Sequence, residues 1–218
     1  MKIFAISGLG ADQRIFEYLT LEYDLIPVEW IKPNPKEPII EYSKRLIKKY
    51  KIGEHETFGI LGVSFGGLIA TEISKLVTPK FTILISSVAT RNELSGILKF
   101  IGRLKLIEVL PAKLLNPPKP VAYYMFGTQN KALLNAILDA TDLNFTKWAL
   151  SELVTWKNET QLHNLIKICG TEDKLLPAKG DNAILIEKGQ HFMIVDCAKE
   201  ISDIINSTLK TSYSKDVA

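Results

Sequence analysis

Short, almost wholly apolar runs alternate along this chain with longer stretches in which apolar residues recur every three or four positions. The runs KIFAIS (2–7), YDLIPVEW (23–30), TFGILG (57–62), FTILIS (81–86), NLIKICG (164–170) and AILIEKG (183–189) have the length and character of strands. Between them, EPIIEYSKRLIKKYK (37–51) sets Ile39, Ile40, Leu46, Ile47 and Tyr50 at helical spacing. GGLIATEISKLV (66–77) and DCAKEISDIINSTLK (196–210) predict two further helices, and ADQRIFEYLT (11–20) a short one. Strands that are apolar on both faces belong to a parallel sheet covered by helices on each side. The alternation of the two element types predicts a doubly wound α/β fold.

One region breaks this rhythm. Residues 91–157 hold helical runs and the proline-rich break LNPPKPVAYY (115–124), with no strand-like segment. LSGILKFIGRLKLIEVL (94–110) is apolar around much of its circumference, and DLNFTKWALSELVTW (142–156) is amphipathic. A crossover between parallel strands needs only a dozen or so residues, and this stretch has about 65. It reads as a helical cap (91–157) inserted into a core made of 1–90 and 158–218. An ordinary cap helix is preferred for the apolar, lysine-bearing stretch 94–110 over a segment touching a lipid surface.

Composition narrows the function classes. The 218 residues are 46% hydrophobic and 23% charged, with a net charge of +3, the profile of a globular protein of one domain. Basic residues are scattered among acids, so nucleic-acid binding is not expected. The basic run KRLIKKYK (44–51) falls on one amphipathic helix and reads as its solvated face. Cys169 and Cys197 sit in apolar surroundings and read as reduced core residues, and no spacing of Cys and His suggests zinc. No run approaches the ~18 apolar residues of a membrane span, and the first apolar run is too short for a leader peptide. A cytoplasmic protein without stable membrane insertion is expected; its oligomeric state is not legible.

The chemistry centres on GILGVSFGGLIA (59–70). Ser64 falls where a buried strand ends and a glycine-flanked helix begins, the context of a G-x-S-x-G nucleophile elbow. On so sharp a turn the strand and helix nearly touch, so the residues two before and two after must be small, as Gly62 and Gly66 are. The helix N-terminus points free N–H groups at the same spot, and that of Phe65 is a candidate oxyanion donor. SGLGADQRIF (7–16) offers a glycine turn after the first strand, with the Leu9 N–H as a second donor.

Two later loops complete the set. ICGTEDKLLP (168–177) ends a strand with an acidic pair, in which Asp173 is the candidate acid and Glu172 its rival; Glu93 is a further, earlier candidate. The chain has three histidines. His55 lies among charges in a loop and His163 begins a strand. His191, in EKGQHFMIVD (187–196), follows a strand and a glycine turn and precedes the last helix, where a catalytic base belongs.

With SGLGAD, GVSFGG, GTEDKLLP and GQHF in that order, the sequence resembles the α/β-hydrolase superfamily, from residue 3 to about 208. The resemblance implies a mostly parallel sheet of about six strands, lacking the antiparallel strands that often precede the first one. Ser7 stands where many relatives carry histidine. It further implies acyl transfer to water through Ser64, Asp173 and His191, with no metal or organic cofactor. A small or medium apolar ester is the expected substrate; thioesterase, lactonase, C–C hydrolase or hydroxynitrile-lyase-like chemistry, or a receptor that retains the triad, would use the same residues. Phe100, Leu104, Tyr123, Tyr124, Met125, Phe126, Phe145 and Trp148 are the aromatic and apolar cap residues expected to line the pocket, Phe100, Tyr124, Phe126 and Trp148 foremost.

Overall fold

The computed structural model describes residues 1–54, 57–179 and 182–213; His55 lies outside the described residues. Six strands form one sheet: β1 (Lys2–Ile6), β2 (Asp24–Val28), β3 (Phe58–Val63), β4 (Phe81–Ile85), β5 (Leu165–Gly170) and β6 (Ala183–Ile186). All neighbours run parallel, in the order β2-β1-β3-β4-β5-β6. The chain first moves outward from β1 to β2, then crosses back to β3 on the other side. A crevice therefore opens beyond the carboxyl ends of β1 and β3, the switch point at which open α/β sheets bind ligands.

Helices cover both faces: α1 (Ile39–Tyr50), α2 (Phe65–Leu76), α3 (Gly96–Arg103), α4 (Leu106–Val109), α5 (Lys119–Phe126), α6 (Lys131–Ala140), α7 (Leu143–Thr155), α8 (Met193–Asp196) and α9 (Ala198–Tyr213). The strands' two-residue period sorts the core into two layers. Phe4 and Ile6 of β1 pack with Ile60, Tyr42 and Leu46 of α1 and Leu68 of α2, whereas Ile3 and Ala5 pack with Leu61, Ile83, Ile201, Ile205 and Leu209 on the other face. Burial on both faces explains why β1, β3 and β4 read as continuous apolar runs.

Three expected helices differ from the structure. The stretch 11–20 forms only a 3-10 turn, Gln13–Phe16, whose start is fixed by the Asp12 carboxylate accepting from the Arg14 N–H at 3.0 Å. The stretch 94–110 is broken into α3 and α4 by Lys105, which takes a left-handed conformation with φ 51°. Close packing aims α3: a Cβ at Gly102 would run into the Val154 carbonyl of α7. The closing helix likewise divides at Cys197, between α8 and α9.

Between β4 and β5 the chain is helical, with 3-10 turns at Arg91–Glu93 and Ala112–Leu115 and no strand. These helices are bonded into the rest of the protein. α1 begins after Pro38 and has no side-chain cap of its own; the Glu152 carboxylate of α7 accepts from its Ile39 N–H at 2.8 Å. The Trp148 indole donates to the Glu37 carbonyl at 2.7 Å, and that of Trp156 to Glu72 of α2 at 2.8 Å. Among the described residues no helix is long and apolar enough to cross a membrane.

Candidate active site

Ser64 occupies the single residue between β3 and α2. Its φ of 52° and ψ of −122° are strained for a residue with a side chain, and the surrounding contacts hold it there. The Ser64 N–H donates to the Ile85 carbonyl of β4 at 3.0 Å, and its carbonyl accepts from the Gly67 N–H at 2.9 Å. The Ser87 hydroxyl donates to that same carbonyl at 2.7 Å. The glycines answer to close approach: a Cβ on Gly62 would lie 2.6 Å from the Gly67 Cα, and one on Gly66 would strike the Ile6 and Ser7 carbonyls.

The turn aims the Ser64 Oγ at His191, whose Nε2 lies 2.8 Å away. On the far side of the ring, Nδ1 lies 2.8 Å from Asp173 Oδ2 and 3.0 Å from Oδ1. An ionised carboxylate only accepts, so Nδ1 carries the hydrogen and Nε2 of the neutral ring is free to take the serine proton. Asp173 Oδ1 also accepts from the N–H groups of Leu175 and Leu176, both at 2.9 Å. Burial works to raise the Asp173 carboxyl, but the His191 hydrogen bond and charge, with the Leu176 and Leu175 N–H groups, outweigh it and hold the group below its ordinary value. Asp173 and His191 are both buried.

The rival acids are engaged elsewhere. Glu172 accepts from Gln190 at 3.3 Å on the exposed side of the loop. Glu93 is ion-paired with Lys167 of β5. His163 is exposed.

Ser64 and His191 face a cavity of about 220 Å³. Gly8, Leu9 and Phe65 line it beside the serine. The Leu9 and Phe65 N–H groups donate to no acceptor among the described residues, as an oxyanion hole requires. Ser7, in the histidine position of many relatives, is buried and donates to the Ala11 carbonyl at 2.8 Å, which closes the glycine turn from beneath.

The pocket wall departs from the sequence expectation. Phe126 lines the cavity and meets the His191 ring edge-on at 5.6 Å, and Met125 lines it too. Phe100 and Tyr124 do not line it: they are 60% and 69% exposed on the outer side of their helices. Trp148 points instead into an aromatic cluster with Tyr42 (4.4 Å), Phe145 (5.5 Å) and Phe65 (5.8 Å), where its indole N–H finds the Glu37 carbonyl. Leu104, Tyr123 and Phe145 are also absent from the wall. The wall is aliphatic, with Ile15, Leu98, Leu134, Ile137, Leu150 and Leu176 among its members, and no Lys, Arg, Asp or Glu among the described residues lines it. Sequence reasoning missed Ser87 and the α6 residues Leu134 and Ile137. The KALLNAIL run after Asn130, which caps α6 by accepting from the Leu133 N–H, was the available signal for the latter.

No family model and no curated protein matches the sequence. Solved structures do. A chain from Acinetobacter baumannii, described as a candidate lipase, superimposes with a TM-score of 0.73 at 14% identity, covering 99% of this chain and 85% of that one. A thermophilic esterase from Thermogutta terrifontis gives 0.70 at 13% identity, over 97% and 90% of the two chains. RedJ, a thioesterase of prodiginine biosynthesis in Streptomyces coelicolor, gives 0.66 at 14% identity, over 95% and 89%. With six parallel strands in the order 2-1-3-4-5-6, helices on both faces and these neighbours across nearly its full length, the chain has the α/β-hydrolase fold.

Proposed function

We propose that this protein is a serine hydrolase that cleaves a small or medium, largely apolar carboxylic ester through an acyl-enzyme on Ser64. One observation carries the reading: Ser64 Oγ, the His191 ring and the Asp173 carboxylate form an unbroken 2.8 Å relay at the wall of an apolar cavity. The Ser64 oxygen attacks the ester carbonyl as its proton passes to His191 Nε2. Asp173 holds the ring in the required tautomer and stabilises its cationic form. The Leu9 and Phe65 N–H groups receive the oxyanion, each strong donor contributing about 3–4 kcal/mol to the transition state. His191 then returns the proton to the leaving alcohol. Water, deprotonated by the same ring, releases the acid and restores Ser64.

In this reading residues 91–157 act as the cap, since Leu98, Leu115, Leu134, Ile137 and Leu150 supply much of the cavity wall. The solved neighbours include an esterase, a thioesterase and a meta-cleavage product hydrolase from Pseudomonas fluorescens, so chemistry is not chosen by fold. The cavity favours the ester: among the described residues its lining offers no Lys or Arg for a phosphate-bearing thioester carrier. Turnover of p-nitrophenyl esters of graded chain length, beside Ser64→Ala, tests the proposal. Equal rates for the two proteins, or failure of a fluorophosphonate to label Ser64, would overturn it.

A further inference from the structure

The cap helices have two sides, and the outer one is unlike the rest of the surface. α3, α4 and the turn Ala112–Leu115 all rest on α7. Leu98 and Ile101 face that contact and join the core. Ile97, Phe100 and Leu104 stand at i, i+3 and i+7 beside that contact, a spacing that ordinarily marks a buried stripe. Here Ile97 is 74% exposed and Phe100 60%. In the next two elements Val109 is 78% exposed, Leu114 69% and Leu106 39%. An apolar stripe of this kind, continued over three consecutive elements, marks an interaction surface.

Charge identifies what covers it. Residues 96–115 hold four lysines and arginines against the single acid Glu108, a net +3, equal to the charge of the whole chain. Arg103, Lys105 and Lys113 are exposed and have no ion-pair partner among the described residues. Lys174 adds a further cation at the edge, 4.0 Å above the Tyr124 ring. A second copy of this chain would bring like charge against like charge across a two-fold interface. An anionic lipid surface meets both properties: acyl chains accept Ile97, Phe100 and Val109, and headgroups accept the cations. We propose that the outer face of α3, α4 and the turn Ala112–Leu115 docks on anionic phospholipid bilayers. The protein lies on the membrane rather than spanning it, with the wall of its cavity turned toward the lipid.

Co-sedimentation with phosphatidylcholine vesicles, with and without phosphatidylglycerol, tests this without any reliance on turnover. Wild type is expected to sediment with the anionic vesicles, weakly with the neutral ones, and less as salt is raised. Each basic side chain brought to such a surface is worth about fivefold in partitioning, so R103Q/K105Q/K113Q is expected to lower binding on the order of a hundredfold. I97S/F100S/V109S, with every charge kept, is expected to lose at least tenfold. All six side chains are outside the core, so thermal melts that overlay wild type show that folding is unchanged. Wild type left in the supernatant with both vesicle types overturns the proposal, as does binding that both variants retain in full. Self-association abolished by I97S/F100S/V109S, in a protein that ignores vesicles, also overturns it and assigns the face to a second copy. Ser64→Ala is expected to bind vesicles as wild type does, so a failure of the ester reading and a failure of docking are told apart.

Discussion

Replacing Asp173 with asparagine changes one atom type in the relay and almost no volume. The two Asp173 oxygens are not equivalent: Oδ1 accepts from the Leu175 and Leu176 N–H groups and lies 3.0 Å from His191 Nδ1, whereas Oδ2 lies 2.8 Å from Nδ1 and has neither backbone donor. An asparagine that keeps its oxygen on the two backbone donors must turn its NH2 toward the ring. Nδ1 then accepts, the ring proton moves to Nε2, and Nε2 donates to Ser64 Oγ instead of taking its proton. The flipped amide would restore the tautomer only by pointing its NH2 at the Leu175 and Leu176 N–H groups, at about 1–3 kcal/mol for the buried Leu176 donor. The inactive arrangement therefore dominates. The expected loss in kcat is on the order of ten-thousandfold, or about 5 kcal/mol in activation free energy. The assay is p-nitrophenyl ester hydrolysis beside Ser64→Ala, with a thermal melt to show that the variant is folded. A folded Asp173→Asn enzyme within tenfold of wild type, where Ser64→Ala is inactive, would refute the roles given to Asp173 and His191.

The elbow's tolerance is equally checkable: Gly66→Ala sets a methyl against the Ile6 and Ser7 carbonyls and is expected to destabilise by about 3 kcal/mol in denaturant titration. Gly96→Ala, with nothing within 4 Å of its new Cβ, is expected to be neutral or to stabilise by up to about 1 kcal/mol. Because Asp173 is held below the ordinary carboxylate value in the folded state, its charge contributes stability that is complete above about pH 3.9 and lost as pH falls through its lower folded value. Acid titration of stability should show wild type losing an advantage over Asp173→Asn only in that window, and an advantage that vanishes near neutrality would contradict it. Burial pushes the Cys169 thiol up to about 11, so a thiol reagent at mildly alkaline pH should modify Cys169 only after unfolding.

All six strands were legible because each is a short, mostly apolar run bounded by turn residues, and the structure moves their ends by no more than three residues. The relay was legible for a related reason. Ser64, Asp173 and His191 each follow a strand's carboxyl end, and a parallel sheet brings all such ends to one edge. The wall of the cavity was not legible. Helical periodicity says which residues share a face but not which neighbour that face meets. Phe100 and Trp148 are both aromatic residues on helices between β4 and β5, yet one is exposed and the other packs into the cluster around Tyr42. The break falls on Lys105, a residue with no preference for the left-handed conformation it takes, and Gly102, three positions earlier, sits tight against the Val154 carbonyl of α7.

The carboxylate that caps α1 comes from α7, more than a hundred residues further along the chain. Splicing β4 directly to β5 would take away Glu152, Trp148 and Trp156 together. It would leave a helix start without an acceptor, the Glu37 carbonyl without its indole, and the aromatic cluster around Tyr42 open to water. The helical segment is thus no detachable accessory: shortening it through Trp148, Glu152 or Trp156 would remove contacts on which α1 and α2 rely.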